Sequence, residues 1–325
     1  TLSSLETSSR KLLLFGGKGG VGKTTCAAAT ALHFARLGKR TLLISSDPTP
    51  SLSDIFVTRI GAEETPVRKI RNLHATEISS DVVLQRWKEK YGPEIYEVVS
   101  SFLPLDYDII DYIGGAPGIE EEYMLGFILD LAKSEKYDLV VWDTAPAGHT
   151  LHLLKMPTRF LAHLDAAAKV YTRIHKRLHD LRHILGIQKK ARSVIDIIEG
   201  WRTLAEEVMS FLTDPLLTEF IIATIPEGLG TNLTERMMNT LRESGIAPNY
   251  LIINNVISTM DSEFLRARRK MQQEYIDHMV NKFGQRMNIS MLPLFPHEIR
   301  GIERLEQVAK ILFEPPHEKE DSVSS

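Results

Sequence analysis

The chain has 325 residues and a formal net charge of −3, which leaves no electrostatic footprint for nucleic acid or an anionic membrane surface. Its single cysteine, Cys26, excludes an internal disulfide and a cysteine-only metal site within one chain, and such scarcity favours the cytosol. No apolar run reaches the length of a membrane-spanning helix. The segment Thr1 to Ser9 lacks the basic and apolar blocks of a secretory signal, and the missing initiator methionine reads as a trimmed start. The length allows one large α/β domain or two smaller ones. No internal repeat is found.

The first predicted strand, Lys11–Phe15, runs into Gly17-Lys18-Gly19-Gly20-Val21-Gly22-Lys23-Thr24-Thr25. This segment fits G-x-x-x-x-G-K-[ST], the phosphate-binding loop, and an alanine-rich helix is predicted after it from Cys26 to Leu37, ended by Gly38. The glycines let the loop wrap a phosphate and aim its N–H groups inward, and the helix adds its positive N-terminal end. In such a loop Lys23 bridges the β- and γ-phosphates and the Thr24 hydroxyl ligates Mg²⁺.

The strand Arg40–Ser45 leads to Asp47-Pro48-Thr49-Pro50-Ser51. A carboxylate placed there can orient an attacking water; an aspartate before proline can equally cap a turn, and the residues alone leave both readings open. A long helical stretch follows from Asp81 to Lys133, with breaks expected near Gly92-Pro93, Leu103-Pro104 and Gly114 to Gly118. Leu139–Trp142 is a buried strand ending in Asp143, an acid placed to hold Mg²⁺ directly or through water. In the next turn the Gly148 N–H could approach the γ-phosphate, and His149 reads as a structural switch residue more than a general base.

A second helical stretch runs from Thr158 to Leu212. Val170, Ile174, Leu178, Leu181 and Leu185 form one apolar stripe, and Val194, Ile197, Ile198, Trp201, Leu204 and Val208 a second. Strands Phe220–Thr224, Tyr250–Asn254 and Ile289–Leu294 complete the alternation. The pattern predicts a mostly parallel sheet with helices on both faces and an inserted α-helical subdomain. The expected core is 10–78, 134–157 and 219–313; the helical subdomain is 79–133 and 158–218; 1–9 and 314–325 are expected to be disordered tails.

Together, Gly17–Thr25, Asp47–Asp54 and Asp143–Leu154 resemble the family that joins the arsenite-pump ATPases and the ATPases that target tail-anchored membrane proteins. The resemblance covers nearly the whole chain. It implies an α/β P-loop NTPase of the deviant Walker A class, in which Lys18 crosses a dimer interface to the partner's nucleotide, so that ATP is sandwiched in a homodimer. It tips Asp47 toward the water-positioning role. Pro117-Gly118-Ile119-Glu120-Glu121 matches a family segment. Pro226-Glu227 matches one in which the glutamate approaches nucleotide across the dimer. Asn254 resembles the family's adenine-reading asparagine, and Leu292-Pro293-Leu294 with Glu298-Ile299-Arg300-Gly301 its adenine loop. Ala267-Arg268-Arg269-Lys270-Met271-Gln272 with Tyr275 matches a helix of the targeting branch.

Departures accompany the matches. Many targeting ATPases carry a Cys-x-x-Cys before that helix, where two chains share a zinc; here Ser262 and Leu265 stand in those places, and neither suits zinc, so no zinc is expected. Thr49-Pro50 replaces the usual Ala-His of the first switch, and Ala147 and His152 stand where the family often has Thr and Arg.

The resemblance implies a cytoplasmic Mg-ATP-dependent ATPase, homodimeric or of higher order. It would shield the transmembrane segment of tail-anchored clients in an apolar groove and hand them to a membrane receptor, without nucleic acid as a partner. Groove candidates are Ile95, Val98, Val99, Phe102, Leu103, Tyr123, Met124, Phe127 and the stripes between Phe160 and Leu212; packing of these faces on the sheet is the competing reading. The alternative is an ATPase subunit driving anion or arsenite efflux. A three-thiolate As(III) site cannot be assembled from Cys26 alone. A general holdase for other clients is a third possibility.

Overall fold

The computed structural model describes residues 1–47, 51–100, 106–116, 118–145, 161, 164, 169 and 193–314. Within these, Pro48, Thr49 and Pro50, Phe102 and Leu103, and Pro117 are not included. Nor are Ala147, Gly148, His149, His152 and the stripe Val170, Ile174, Leu178, Leu181 and Leu185; the readings placed on them lie outside the described residues.

An eight-stranded sheet forms the frame. In chain order its strands are β1 Leu12–Gly16, β2 Thr41–Ser45, β3 Thr65–Pro66, β4 Leu73–Glu77, β5 Leu139–Asp143, β6 Thr218–Thr224, β7 Tyr250–Val256 and β8 Asn288–Pro293. The spatial order is β3-β4-β2-β5-β1-β6-β7-β8. Among the described residues only β3 pairs antiparallel. β1, β2, β5 and β6 are buried along their whole length, as continuous apolar strands covered on both faces must be.

Successive side chains divide between two cores. Leu13, Phe15 and Leu43 face α1 Lys23–Arg36, α2 Leu52–Phe56 and the last helix. Leu12, Leu14, Leu42 and Ile44 face the other layer. That layer holds α3 Ser80–Ser100, α4 Ile109–Gly114, α5 Ile119–Lys133, α6 Ser193–Thr213, α7 Gly228–Glu243 and α8 Glu263–Phe283; the last helix, α9, is Ile302–Phe313. Five alanines of α1 are buried, and their small side chains let the helix lie close on the sheet. α1 closes with the Gly38 N–H on Ala35 O and the Lys39 N–H on Phe34 O, a paired C-terminal cap.

Several expectations are corrected. α1 begins at Lys23, not Cys26, so its first turn belongs to the phosphate loop. α3 continues through Pro93 without a break; Trp87 and Gly92 are buried against α4, with Gly92 close to Tyr107 and Ile110, and this packing outweighs the hydrogen bond proline removes. Residues 1–9 are not a loose tail. A turn at Ser3–Leu5 buries Leu2 and Leu5, and the Leu2 N–H donates to Leu312 O at 2.7 Å. β3 and β4 have no counterpart in the predicted elements. Among the groove candidates, Tyr123 and Met124 lie in the sheet-facing core with Ile95 and Phe127 against it, while Val98 joins Leu164, Val194 and Ile198 in a separate cluster. Among the described residues no helix is long and apolar enough to cross a membrane.

Candidate nucleotide site

The carboxyl ends of β1, β2, β5, β6 and β7 converge on the loop after β1, where parallel α/β sheets place ligand sites. Two of the loop's glycines show what its shape requires. Gly17 (φ 155°) and Gly22 (φ 88°) have backbones that other residues rarely adopt. A Cβ on Gly17 would collide with Ala223 O, and one on Gly22 with the Asn254 amide. Gly22 is also the N-cap of α1, so the helix start opens directly onto the loop. Within it Lys18 is half-buried, Gly19 and Gly20 are exposed, Val21 is buried, and Thr24 and Thr25 are half-buried.

Two acids arrive from neighbouring strands. Lys23 is 4% exposed and its Nζ stands 4.0 Å from Asp47 Oδ2. Strand register sets Asp143 beside Phe15 on one side and Ser45 on the other. Burial raises the Asp143 carboxyl to about 6, against the hydrogen bond from Thr24, the charge of Lys23 and the hydrogen bond from Ser45; the charge of Asp47 adds to the rise. Ser45 Oγ donates to Asp143 Oδ2 at 3.2 Å, whereas Asp143 Oδ1 is buried and has no hydrogen-bond partner among the described residues. A buried carboxylate oxygen left open beside a threonine hydroxyl is an all-oxygen donor set suited to a small hard cation.

The residues expected at the adenine lie on β7, at the end of β8 and just after it. Asn254 Nδ2 donates to Val21 O at 2.9 Å; a carbonyl only accepts, so Oδ1 is the end of the amide left as an acceptor. Pro293 pairs with Val256, the Leu294 N–H donates to Val256 O at 2.8 Å, and the Leu294 side chain is exposed. The structure thus brings together Gly17, Lys18, Gly19, Gly20, Val21, Gly22, Lys23, Thr24 and Thr25 with Asp47, Asp143 and Asn254, and sets Pro293 and Leu294 at the neighbouring strand end. Glu227, the N-cap of α7, is directed elsewhere: Arg268 Nη2 donates to its Oε1 at 2.9 Å.

A family model described as anion-transporting ATPase matches residues 10–314. The chain belongs to the anion-transporting ATPase family. Similar proteins include ATPase ASNA1 homolog 1 of Paramecium tetraurelia, 32% identical over 96% of this chain and 94% of its own length. ATPase get3 of Schizosaccharomyces japonicus is 32% identical over 96% of this chain and 95% of its own. ATPase GET3A of Arabidopsis thaliana is 32% identical over 96% and 86%. The chain is an ATPase, and the resemblance to the arsenite-pump and targeting ATPases read from its motifs is supported along almost the whole chain.

Three sets of contacts that brace the ATPase site join residues whose pairing local sequence pattern does not give. Glu77, at the end of β4, accepts the N–H groups of Ser51 and Leu52 at 2.6 Å each and the Ser53 hydroxyl at 2.8 Å, and so pins the start of α2 just beyond the Asp47 segment. Arg300 Nε donates to Asp54 O at 3.3 Å and the Gly301 N–H to Ile55 O at 2.7 Å, which joins the expected adenine loop to α2. Gln272, 3% exposed, bonds the turn that ends β7. A carboxylate at a strand end was the one visible cue for Glu77. Ser262 is the N-cap of α8 and accepts the Leu265 N–H at 3.2 Å, so the first of the two positions set against the family's Cys-x-x-Cys serves helix capping here.

Proposed function

We propose that this ATPase is a cytoplasmic, homodimeric targeting factor for tail-anchored membrane proteins, with ATP-driven closure assembling an apolar groove around the client's transmembrane segment. The end-to-end similarity to ATPases named get3, GET3A and ASNA1 carries the reading, together with α8, the helix that resembles one of the targeting branch, which bonds the turn after Asn254 through Gln272.

The loop N–H groups, Lys23 and the partner's copy of the Lys18 ammonium neutralise the triphosphate. Thr24 and Asp143 would hold Mg²⁺, which would supply positive charge to the triphosphate. Asp47 accepts a hydrogen bond from the attacking water and aligns it. The water oxygen bonds to the γ-phosphorus as the bond to the bridging oxygen breaks, and the electron pair leaves with ADP. Asn254 Oδ1 reads the adenine amine, with Pro293 and Leu294 against the ring, and Glu227 meets nucleotide across the dimer once Arg268 lets it go. The client-binding subdomain is 79–133 with 158–218, around the core 10–78, 134–157 and 219–313. α3 and α6 flank an open depression of about 710 Å³, lined by Tyr91, Ile197, Trp201 and Leu204 and by the charged Lys90, Glu94, Glu97 and Asp196. A membrane receptor completes the cycle.

Arsenite-driven regulation has less support. Cys26 is fully buried, and burial followed by the charge of Asp143 pushes its thiol up to about 12, far from the thiolate a soft metalloid needs. The test is co-expression of the Asp47→Asn form with a tagged tail-anchored protein and purification in ATP. A soluble complex that disappears when the client's transmembrane segment is deleted supports the reading; ATPase activity without any such complex rejects it.

A further inference from the structure

One face of α8 meets both loops that leave β6 and β7. Arg268, Gln272 and Tyr275 recur at the spacing of a single helix face. Arg268 bonds Glu227, and the Tyr275 hydroxyl lies close against Gly228. Gln272, between them, is the buried member.

The Ile257 N–H donates to Gln272 Oε1 at 2.9 Å, and Gln272 Nε2 donates to Asn255 O at 2.9 Å. A backbone N–H only donates and a carbonyl only accepts, so the orientation of the amide is fixed. The two bonds bracket Val256, where the pairing of β7 with β8 slips between Ile253 and Val256. They also hold Asn255 at φ 58°, a left-handed backbone that a non-glycine residue keeps only when its surroundings impose it. Asn254 immediately precedes this turn, with its Nδ2 tied to Val21 O.

We propose that Gln272 is a positioning residue for base selection: by clamping Asn255 and Ile257 it sets the turn that presents Asn254 Oδ1 to the exocyclic amine of an adenine nucleotide. Guanine offers a carbonyl oxygen at that place and is disfavoured by the same acceptor. The inference rests on Asn254 as the base-reading residue and adds what holds it in place.

The test is equilibrium binding of ATP, GTP and inorganic tripolyphosphate to the full chain and to Gln272→Met, which keeps the volume and removes both bonds. Loss of two buried hydrogen bonds at the turn is expected to weaken ATP about tenfold and to shrink the preference for ATP over GTP by a similar factor. Tripolyphosphate, which has no base, stays within about twofold of wild type. If Gln272→Met does not fold, Gln272→Glu, which keeps the acceptor and loses the donor, shows the same selective loss at smaller size. Equal weakening of ATP and tripolyphosphate, or an unchanged preference, overturns the proposal. Asn254→Ala is measured in parallel. If it abolishes the preference while the Gln272 variants do not, Gln272 alone is wrongly assigned. If it leaves the preference intact, the base-reading role of Asn254 fails, and the proposal with it.

Discussion

Lys23 Nζ and Asp47 Oδ2 stand 4.0 Å apart at the carboxyl end of the sheet, the lysine almost wholly buried. The pair sets a buried lysine and a carboxylate side by side at the phosphate loop. Substituting Asp47 with Asn keeps the size of the side chain and removes the strong acceptor. ATP binding is expected to stay within a few-fold of wild type and turnover to fall by about 100-fold or more. Single-turnover hydrolysis with a separate binding measurement checks both.

Glu77 is expected to matter although it touches no phosphate ligand. Its carboxylate carries three hydrogen bonds to the first turn of α2, and this charge-assisted cap is worth about 2 kcal/mol. Glu77→Ala should lower unfolding stability by about that amount. Glu77→Gln, which still accepts hydrogen bonds, should recover about half of it. Denaturant unfolding of the three proteins side by side measures this.

Much of the fold is legible in the sequence, and the reasons for the rest are physical. Buried apolar runs such as Leu139–Trp142 declare themselves because both faces of a central parallel strand are covered. β4, Leu73–Glu77, does not: it carries His74 and Thr76, its burial is uneven, and it lies next to the sheet edge. Leu2 and Leu5 were masked by the serines and threonines around them, though their spacing puts both on one side of a turn. The phosphate loop and Asp143 follow from local pattern. Glu77 reaches residues 24 to 26 positions away and Gln272 reaches back 15 and 17; no local pattern encodes which distant N–H groups a side chain will meet. Periodicity also could not separate a groove from a core, and the buried Tyr123 and Met124 show the core winning at those positions.

Glu122 gives a pH signature. Burial raises its carboxyl from 4.5 to about 7. Between those values the folded chain keeps a proton that the unfolded chain has lost, so this residue's contribution is fully present below about pH 4.5 and is lost as pH rises toward 7. Glu122→Gln removes that slope. The variant should be more stable than wild type by on the order of 2 kcal/mol at pH 8 and nearly equal to it at low pH. Unfolding free energies across the range measure the crossing.

Cys26 should be silent. Its thiol is fully buried and held near 12, so a thiol reagent should label it only on unfolding. Arsenite should leave ATP turnover unchanged, and Cys26→Ala should behave as wild type. Labelling with and without denaturant, beside turnover with and without arsenite, decides this; stimulation that Cys26→Ala abolishes would return the efflux reading to the front.

The most direct measurement is client retention against nucleotide state. Complexes of wild type and of Asp47→Asn with a fluorescent tail-anchored protein are given Mg-ATP and lipid vesicles, and transfer of the client's transmembrane segment into lipid is followed in time. Transfer from wild type at a rate tied to ATP turnover, with Asp47→Asn holding its client, is the predicted result. Equal transfer from both, or equal retention of a client lacking its transmembrane segment, would contradict a hydrolysis-gated apolar groove.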